Sequence, residues 1–329
     1  WEFKDDFTYI NAEETRARIT ITGQGTNTTG RYTGTRAVEF DVEAAELTDK
    51  MVSVDDADFV FDGTTNWAEK AEEKVIVSDG TNVYTKDKDY IVESVVPTNA
   101  VDARDKEAVN AYTIKVKAKQ GGAFKKGEGT AKYGVKRLEI NGAKVESNMP
   151  ADYPTGAGGY EYKGGAYEPN PVVKYTDGKG QKQTMEGAKV GGRDYTLEYI
   201  NNTDAGTATI KIHGQGNFRG TREQTFNIRP RNIQNAEVEL VKTEYKYTGY
   251  QIEPVLNVRM SKIDGLPQEK VSLTKESDYT ITFESGGTDV GTARLRIEGK
   301  ENYTGTVVPQ PKVEVIPFSL KDPYMRLEH

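Results

Sequence analysis

The sequence predicts an all-β chain: tandem antiparallel β-sandwich modules in an extended array. Three observations lead there. Apolar residues recur at every second position over short runs. Clusters of Gly, Asp and Asn separate those runs. The same pattern then returns along the chain, at an offset of 84 to 85 residues in its two clearest copies. A period of two gives a strand with one buried and one wet face, and a sheet with one apolar face needs a second sheet to cover it.

The clearest copies run from Arg193 to Ile228 and from Ser277 to Val315; Asp194 matches Asp278, Gly206 matches Gly291 and Gly214 matches Gly299. A third copy, Ala17 to Val42, holds only the later strands, and a more diverged one comprises Lys88 to Ser94 and Ala111 to Val135. An aromatic pair lies upstream in each whole copy: "FVFDG" from Phe59, "YEYKG" from Tyr160 and "YKYTG" from Tyr245. The resulting division is a half-module at 1–46, modules at 47–139, 140–230 and 231–317, and a linker with a tag remnant at 318–329. Many short strands in modules of this size make each whole one an immunoglobulin-like sandwich. In "TATIKI", Ala208, Ile210 and Ile212 alternate with Thr209, Lys211 and His213; Ala293, Leu295 and Ile297 alternate likewise in "ARLRIEG". "SDGTN" from Ser78, "TDGKG" from Thr176 and "KIDGLP" from Lys262 are turns. A helix is expected only within "DARDKEAVNAY", Asp102 to Tyr112. The half-module lacks its earlier strands, so it is expected to take cover from the second module or from another copy. The whole modules are expected to share no common interior.

"GQGNFRGT", residues 214–221, looks like a phosphate-binding loop. A dinucleotide fingerprint needs a helix after the glycines; here the strand pattern of "REQTFNI" follows. The loop is therefore a hairpin, in which Gly214, Gly216 and Gly220, like Gly299 and Gly305, supply turn geometry and Asn217 and Asn302 suit left-handed backbone. The following aromatic (Tyr32, Phe124, Phe218 or Tyr303) folds back over the end of the core.

This pattern resembles the immunoglobulin-like repeats of large surface and adhesion proteins of Gram-positive bacteria, most clearly over residues 160–315. The resemblance implies an extracellular, cell-wall-associated monomeric rod within a longer chain, in which most repeats act as stalk and binding is often carried elsewhere. The second module departs from the motif, with "KAKQGGAFKKG" in place of the GxGN form. "LPQEK" at Leu266 starts like a sorting motif but lacks Thr and Gly, and is expected to be a loop.

Composition narrows the chemistry. The chain has 44 basic and 51 acidic residues, interspersed, with a net charge of −7, and no basic block that would follow nucleic acid. It has no cysteine, which excludes disulfides and thiolate metal sites. No apolar run approaches a membrane span. Apart from His329 in the tag remnant, His213 is the one histidine, so neither a Ser-His-Asp arrangement nor a histidine zinc site is expected. No enzyme, cofactor or metal is expected; Asp55, Asp56, Asp58 and Asp89 read as solvated acids rather than calcium ligands. Asp89, Asp194 and Asp278 each precede a strand tyrosine, and that recurrence predicts an Asx-type turn. The paired tyrosines read as core or sheet-edge packing. No lysine–asparagine or lysine–aspartate isopeptide triad is evident.

The most individual feature is an insertion in the second module: Ser94 to Tyr112 is about nine residues longer than Tyr199 to Ala208. Loops at the ends of a sandwich carry binding groups. Residues 95–111, with Trp67, Asp102 and Arg104 as candidate ligand contacts, are where a site would lie. The leading expectation is a structural stalk or spacer. The alternative is a binding module that recognises a host glycan or protein through this loop or through exposed tyrosines.

Overall fold

The computed structural model describes residues 16–24, 33–41, 44–261 and 270–319. Trp1, Tyr32, the whole turn from Lys262, most of "LPQEK" and the tag remnant lie outside the described residues. Half of the residues lie in strands and 5% in helices, so the chain is all-β.

Alternation becomes strand where it is strongest. In the third module Tyr195–Ile200, Gly206–Gly214 and Thr221–Arg229 form an antiparallel meander. Val145–Asn148, Val172–Thr176 and Lys182–Thr184 form a smaller antiparallel sheet. Ala208, Ile210 and Ile212 from the meander and Val145, Val173 and Met185 from or beside the smaller sheet share one core, each at most 3% exposed. Each such isoleucine contributes about 1.5–3 kcal/mol by leaving water. The fourth module repeats the plan with Tyr279–Ser285, Gly291–Gly299 and Lys312–Ile316, and with Glu237–Leu240, Leu256–Ser261 and Lys270–Leu273. The second does so with Tyr90–Val96, Tyr112–Ala118 and Phe124–Tyr133, and with Val52–Val54, Val75–Ser78 and Val83–Tyr84.

The sheets are not purely antiparallel, contrary to the expectation. Tyr160–Glu161 runs parallel to Ile228–Arg229, and Glu244–Lys246 runs parallel to Glu314–Ile316. Val60 bridges Lys136 in the same sense. These segments carry the paired aromatics. Each crosses over from the smaller sheet to the edge of the larger one, and a crossover, unlike a hairpin, does not force opposite strand directions.

The helix is misplaced in the sequence-based expectation. Residues 102–111 hold a bridge at Arg104 followed by turns, and the one α-helix among the described residues is Trp67–Lys74. Its signal is present in the sequence. Asn66 caps the Ala68 N–H and reaches Glu69, three residues on, at 3.1 Å, and "WAEKAEEK" contains no β-branched residue. In the Asp102 segment, tertiary contacts override helix propensity: Arg104 exchanges both backbone hydrogen bonds with Val135, at 2.8 and 2.9 Å.

The half-module contributes a hairpin, Arg16–Gln24 with Thr33–Asp41. Its Ile21, Val38 and Phe40 are 38–47% exposed, so the expected cover from the second module is not provided.

The expectation of separate interiors also fails at one seam. A single hydrophobic cluster runs from Leu47 to Ile228, joining the second and third modules. Phe61 of the second touches Phe218 and Tyr175 of the third, with ring centroids 5.4 and 5.7 Å away. The fourth module keeps its own cluster, Ile233 to Val315, which meets the preceding one at Tyr162.

Candidate functional site: the module junctions

Each whole module begins with one buried anchor. Leu47, Ile140 and Ile233 are at most 2% exposed; Leu47 ends a short linker strand, and Ile140 and Ile233 directly follow one. Those strands, Ala45–Leu47, Leu138–Glu139 and Arg231–Asn232, run parallel to the chain at Phe124, Phe218 and Tyr303. The aromatic of the glycine loop thus packs where its own module starts; Phe124, Phe218 and Tyr303 are 2%, 1% and 6% exposed.

The glycine loop does more than turn. Asn217 and Asn302 do not take left-handed backbone; Gly216 and Glu301, one residue earlier, do, at φ 59° and 56°. The two asparagines instead reach across the junction. Asn217 Oδ1 accepts the Ala103 N–H at 2.8 Å, and its Nδ2 donates to Asp102 Oδ1 at 2.9 Å. Asn302 does the same with Ala205, at 2.7 Å, and Asp204, at 3.0 Å. The asparagine carbonyls accept the linker N–H of Leu138 and of Arg231, both at 2.9 Å. One amide side chain therefore clasps the "DA" dipeptide of the preceding module, at both junctions, with the same donors and acceptors.

The aromatic pairs complete this arrangement. Phe59, Tyr160 and Tyr245 pack on or into their own cores. Phe61 and Tyr162, two residues later, meet the next module's Phe218 and Tyr303, the latter edge-on at 5.4 Å. Phe61, Tyr162 and Tyr247 donate their N–H groups to Lys136, Arg229 and Ile316 at 2.8–2.9 Å, so all three occupy one position. Burial pushes the Tyr303 hydroxyl up to about 12, with Tyr162 adding to the effect, and Tyr303 stays neutral through the physiological range.

The glycines divide by role. Gly220 and Gly305 take φ 83°, and a Cβ on either would meet Glu139 or Asn232 of the linker within 2.7 Å. Gly214 and Gly299 have no positive φ; a Cβ there would press on the backbone N of Arg219 or Thr304 at 2.6–2.7 Å. Asp89, Asp194 and Asp278 bond the loop before their strand instead of opening an Asx-type turn: their carboxylates accept the N–H groups of Thr85, Glu186 and Thr274 at 2.7–2.8 Å, and Asp89 also accepts that of Ala123 at 3.2 Å. Each thereby ties the loop before its strand.

The insertion is an excursion from a strand rather than an end loop. Arg104 faces Val135 and Tyr112 faces Tyr133, so residues 105–111 bulge out where the third module has only Thr207 between Gly206 and Ala208. The excursion walls a cleft of about 460 Å³ against the third module, lined by Arg104, Lys106, Lys136, Arg137 and Arg219 with Asp56 and Asp105. Lys106 lies 3.5 Å from Asp56, Arg219 pairs with Glu139 at 2.7 Å, and the Arg104 guanidinium stacks 4.5 Å over the Tyr112 ring. The equivalent cleft at the second junction, about 380 Å³, has Arg229 and Glu301 as its charged lining.

Among the candidate contacts, Arg104 lines the cleft and Asp102 belongs to the clasp. Trp67 is buried at the helix start, its ring 5.0 Å from Phe59, and offers no surface. His213 is half-exposed and bonds Thr221 and Glu198 at 3.0 Å. Among the described residues no three His, Cys, Asp or Glu side chains converge as metal ligands. The buried charged residues described are Asp89, Asp177 and Asp194. No described helix is long and apolar enough to cross a membrane. Compared with models of protein families and with curated proteins, the chain matches none.

Proposed function

We propose that the chain is a structural stalk: immunoglobulin-like modules held in line by clasped junctions, spacing a binding region away from a bacterial wall. The clasp built twice from the same atoms is the observation that carries this proposal. A flexible string would need only a linker. Here each junction adds a parallel ladder, an aromatic contact and an asparagine that bonds three groups of its neighbours. Extracellular placement is supported by the repeat pattern and accords with a chain free of cysteine. The same absence makes the test clean, because introduced cysteine pairs carry the only spin labels. Pairs across 140 and across 231 are expected to give single narrow distance distributions, and small-angle scattering an elongated particle. Broad distributions, or scattering from a compact globule, would refute the stalk.

The cationic cleft favours a second reading, a binding module for acidic glycans at the first junction. Five cations face two carboxylates there, in a chain of net charge −7. A polyuronate hexasaccharide is expected to bind in a salt-sensitive manner and the neutral oligosaccharide of equal length not to bind. Arg104→Ala with Arg137→Ala should weaken binding roughly tenfold, since charge-assisted contacts are lost. Equal retention of both sugars, or of neither, removes this reading.

A further inference from the structure

The fourth module carries, at its far end, every element that the second and third modules use to hold a successor. Tyr247 occupies the position of Phe61 and Tyr162, fixed by the same N–H bond to the last strand, here to Ile316 at 2.9 Å. Asp289 and Val290 precede Gly291 as Asp204 and Ala205 precede Gly206, and Gly291 pairs with Val315 as Gly206 pairs with Ile228. Pro317 follows that strand as Pro230 does. The difference lies in cover. Phe61 is 6% exposed beneath Phe218, Tyr162 is half-buried against Tyr303, and Ala103 and Ala205 are part-buried, whereas Tyr247 is 39% and Val290 52% exposed.

We propose that this end is a docking surface for another module of the same repeat type, one that presents an asparagine followed by an aromatic. Its asparagine Oδ1 accepts the Val290 N–H, its Nδ2 donates to Asp289, and its aromatic covers Tyr247. The two occupied junctions are the argument for that occupant: the receiving set occurs three times, and each set that is covered is covered by Asn–Phe or Asn–Tyr. A single exposed tyrosine would say nothing; a tyrosine, an aspartate and an N–H in the register of two existing contacts specify their partner. A carbohydrate platform is the competing occupant, and the experiment separates them.

The inference rests on the clasp described for the stalk. The test extends the full chain directly after Pro317, in one form with a second copy of 231–319 and in another with a copy of 138–230, so that the outcome does not depend on one appended unit. Hydroxyl-radical footprinting reads Tyr247, and spin-label pairs read the new junction alongside the existing one at 231. Tyr247 oxidation is expected to fall about threefold, as its surface is lost to the neighbour, in at least one extended chain. The new distance distribution should match that at 231, and Asp289→Ala should broaden it. Tyr247 oxidised equally in the parent and both extensions, with a broad new junction beside a narrow one at 231, overturns the docking surface and spares the stalk. A broad distribution at 231 itself overturns the stalk. Protection of Tyr247 by added oligosaccharide instead of by the appended modules assigns the surface to carbohydrate and also overturns the inference.

Discussion

The two junctions use one clasp and differ in nearly everything around it. At the first, Phe61 packs against both Phe218 and Tyr175, which also touch each other, and the two cores merge. At the second, Tyr162 makes ring contact with Tyr303 and a hydrogen bond with the Asn302 side chain, and the cores remain distinct. The first cleft is walled by five cations and the second by Arg229 and Glu301. What the pair teaches is a division of labour. The asparagine, the "DA" dipeptide and the linker ladder are constant between the two. The aromatic contact and the cleft charge vary.

The largest break in this comparison comes from the aromatics. Phe218→Ala is expected to cost about 3–5 kcal/mol, the range for a fully buried phenylalanine, and to uncouple the second module from the third. Tyr303→Ala should leave the third module's unfolding transition unchanged while destabilising the fourth. Denaturant unfolding followed by module-specific probes checks both, and equal coupling losses would show that the merged core at the first junction does not matter.

Next come the asparagines. Asn217→Ala and Asn302→Ala each remove two hydrogen bonds worth about 0.5–1.5 kcal/mol apiece. Their double-mutant cycles with Asp102→Ala and Asp204→Ala should give similar coupling energies, since the geometry is the same. Unequal couplings would break the claim that the clasp is the constant part.

A smaller effect tests the turn that bears on Tyr175. Gly63 and Gly249 both take positive φ, 78° and 77°. A Cβ on Gly63 would lie 2.3 Å from the Tyr175 hydroxyl, whereas one on Gly249 meets nothing. Both alanine variants carry the left-handed penalty of about 1 kcal/mol; Gly63→Ala should cost more in thermal unfolding, by the displacement of Tyr175.

The smallest effect is a pH dependence. Burial alone would raise the Asp62 carboxyl, but bonds from the Thr65 hydroxyl and the Thr65 and Thr64 amides, with Lys144 of the third module nearby, lower it below 3.8. A depressed folded-state value means the contribution is present above the unfolded value and is lost as pH falls from there through the folded one. The first junction should therefore loosen below pH 3.8 and Asp62→Asn should abolish that step. The second junction has Lys163 at this place and should show no such step. Spin-label distances at the two junctions measure the difference.

Much of this was legible beforehand. The alternation at Ala208, Ile210 and Ile212 dictated which side chains are buried, because a strand can bury only one parity. The glycine loop was rightly a reversal between strands, and its aromatic rightly lay on the core. The asparagines were misread, because a turn preference is a local property and the atoms they bond lie 97 to 115 residues away. The helix at Trp67 was signalled by Asn66 and Glu69 and was overlooked; the suspected helix at Asp102 failed because its residues were bonded elsewhere. The extra length of the insertion is readable in the sequence, but its register is not: only the pairing of Arg104 with Val135 shows that it leaves from within a strand.

The sequence by itself determined most strands, the turns and the repeat, since each depends on a residue and its near neighbours. The tertiary structure alone decided that crossovers run parallel, that the first two whole modules share a core and that an asparagine fastens each junction. Those depend on which distant backbone N–H and carbonyl groups come within hydrogen-bonding reach, and nothing in the local order of side chains encodes that distance.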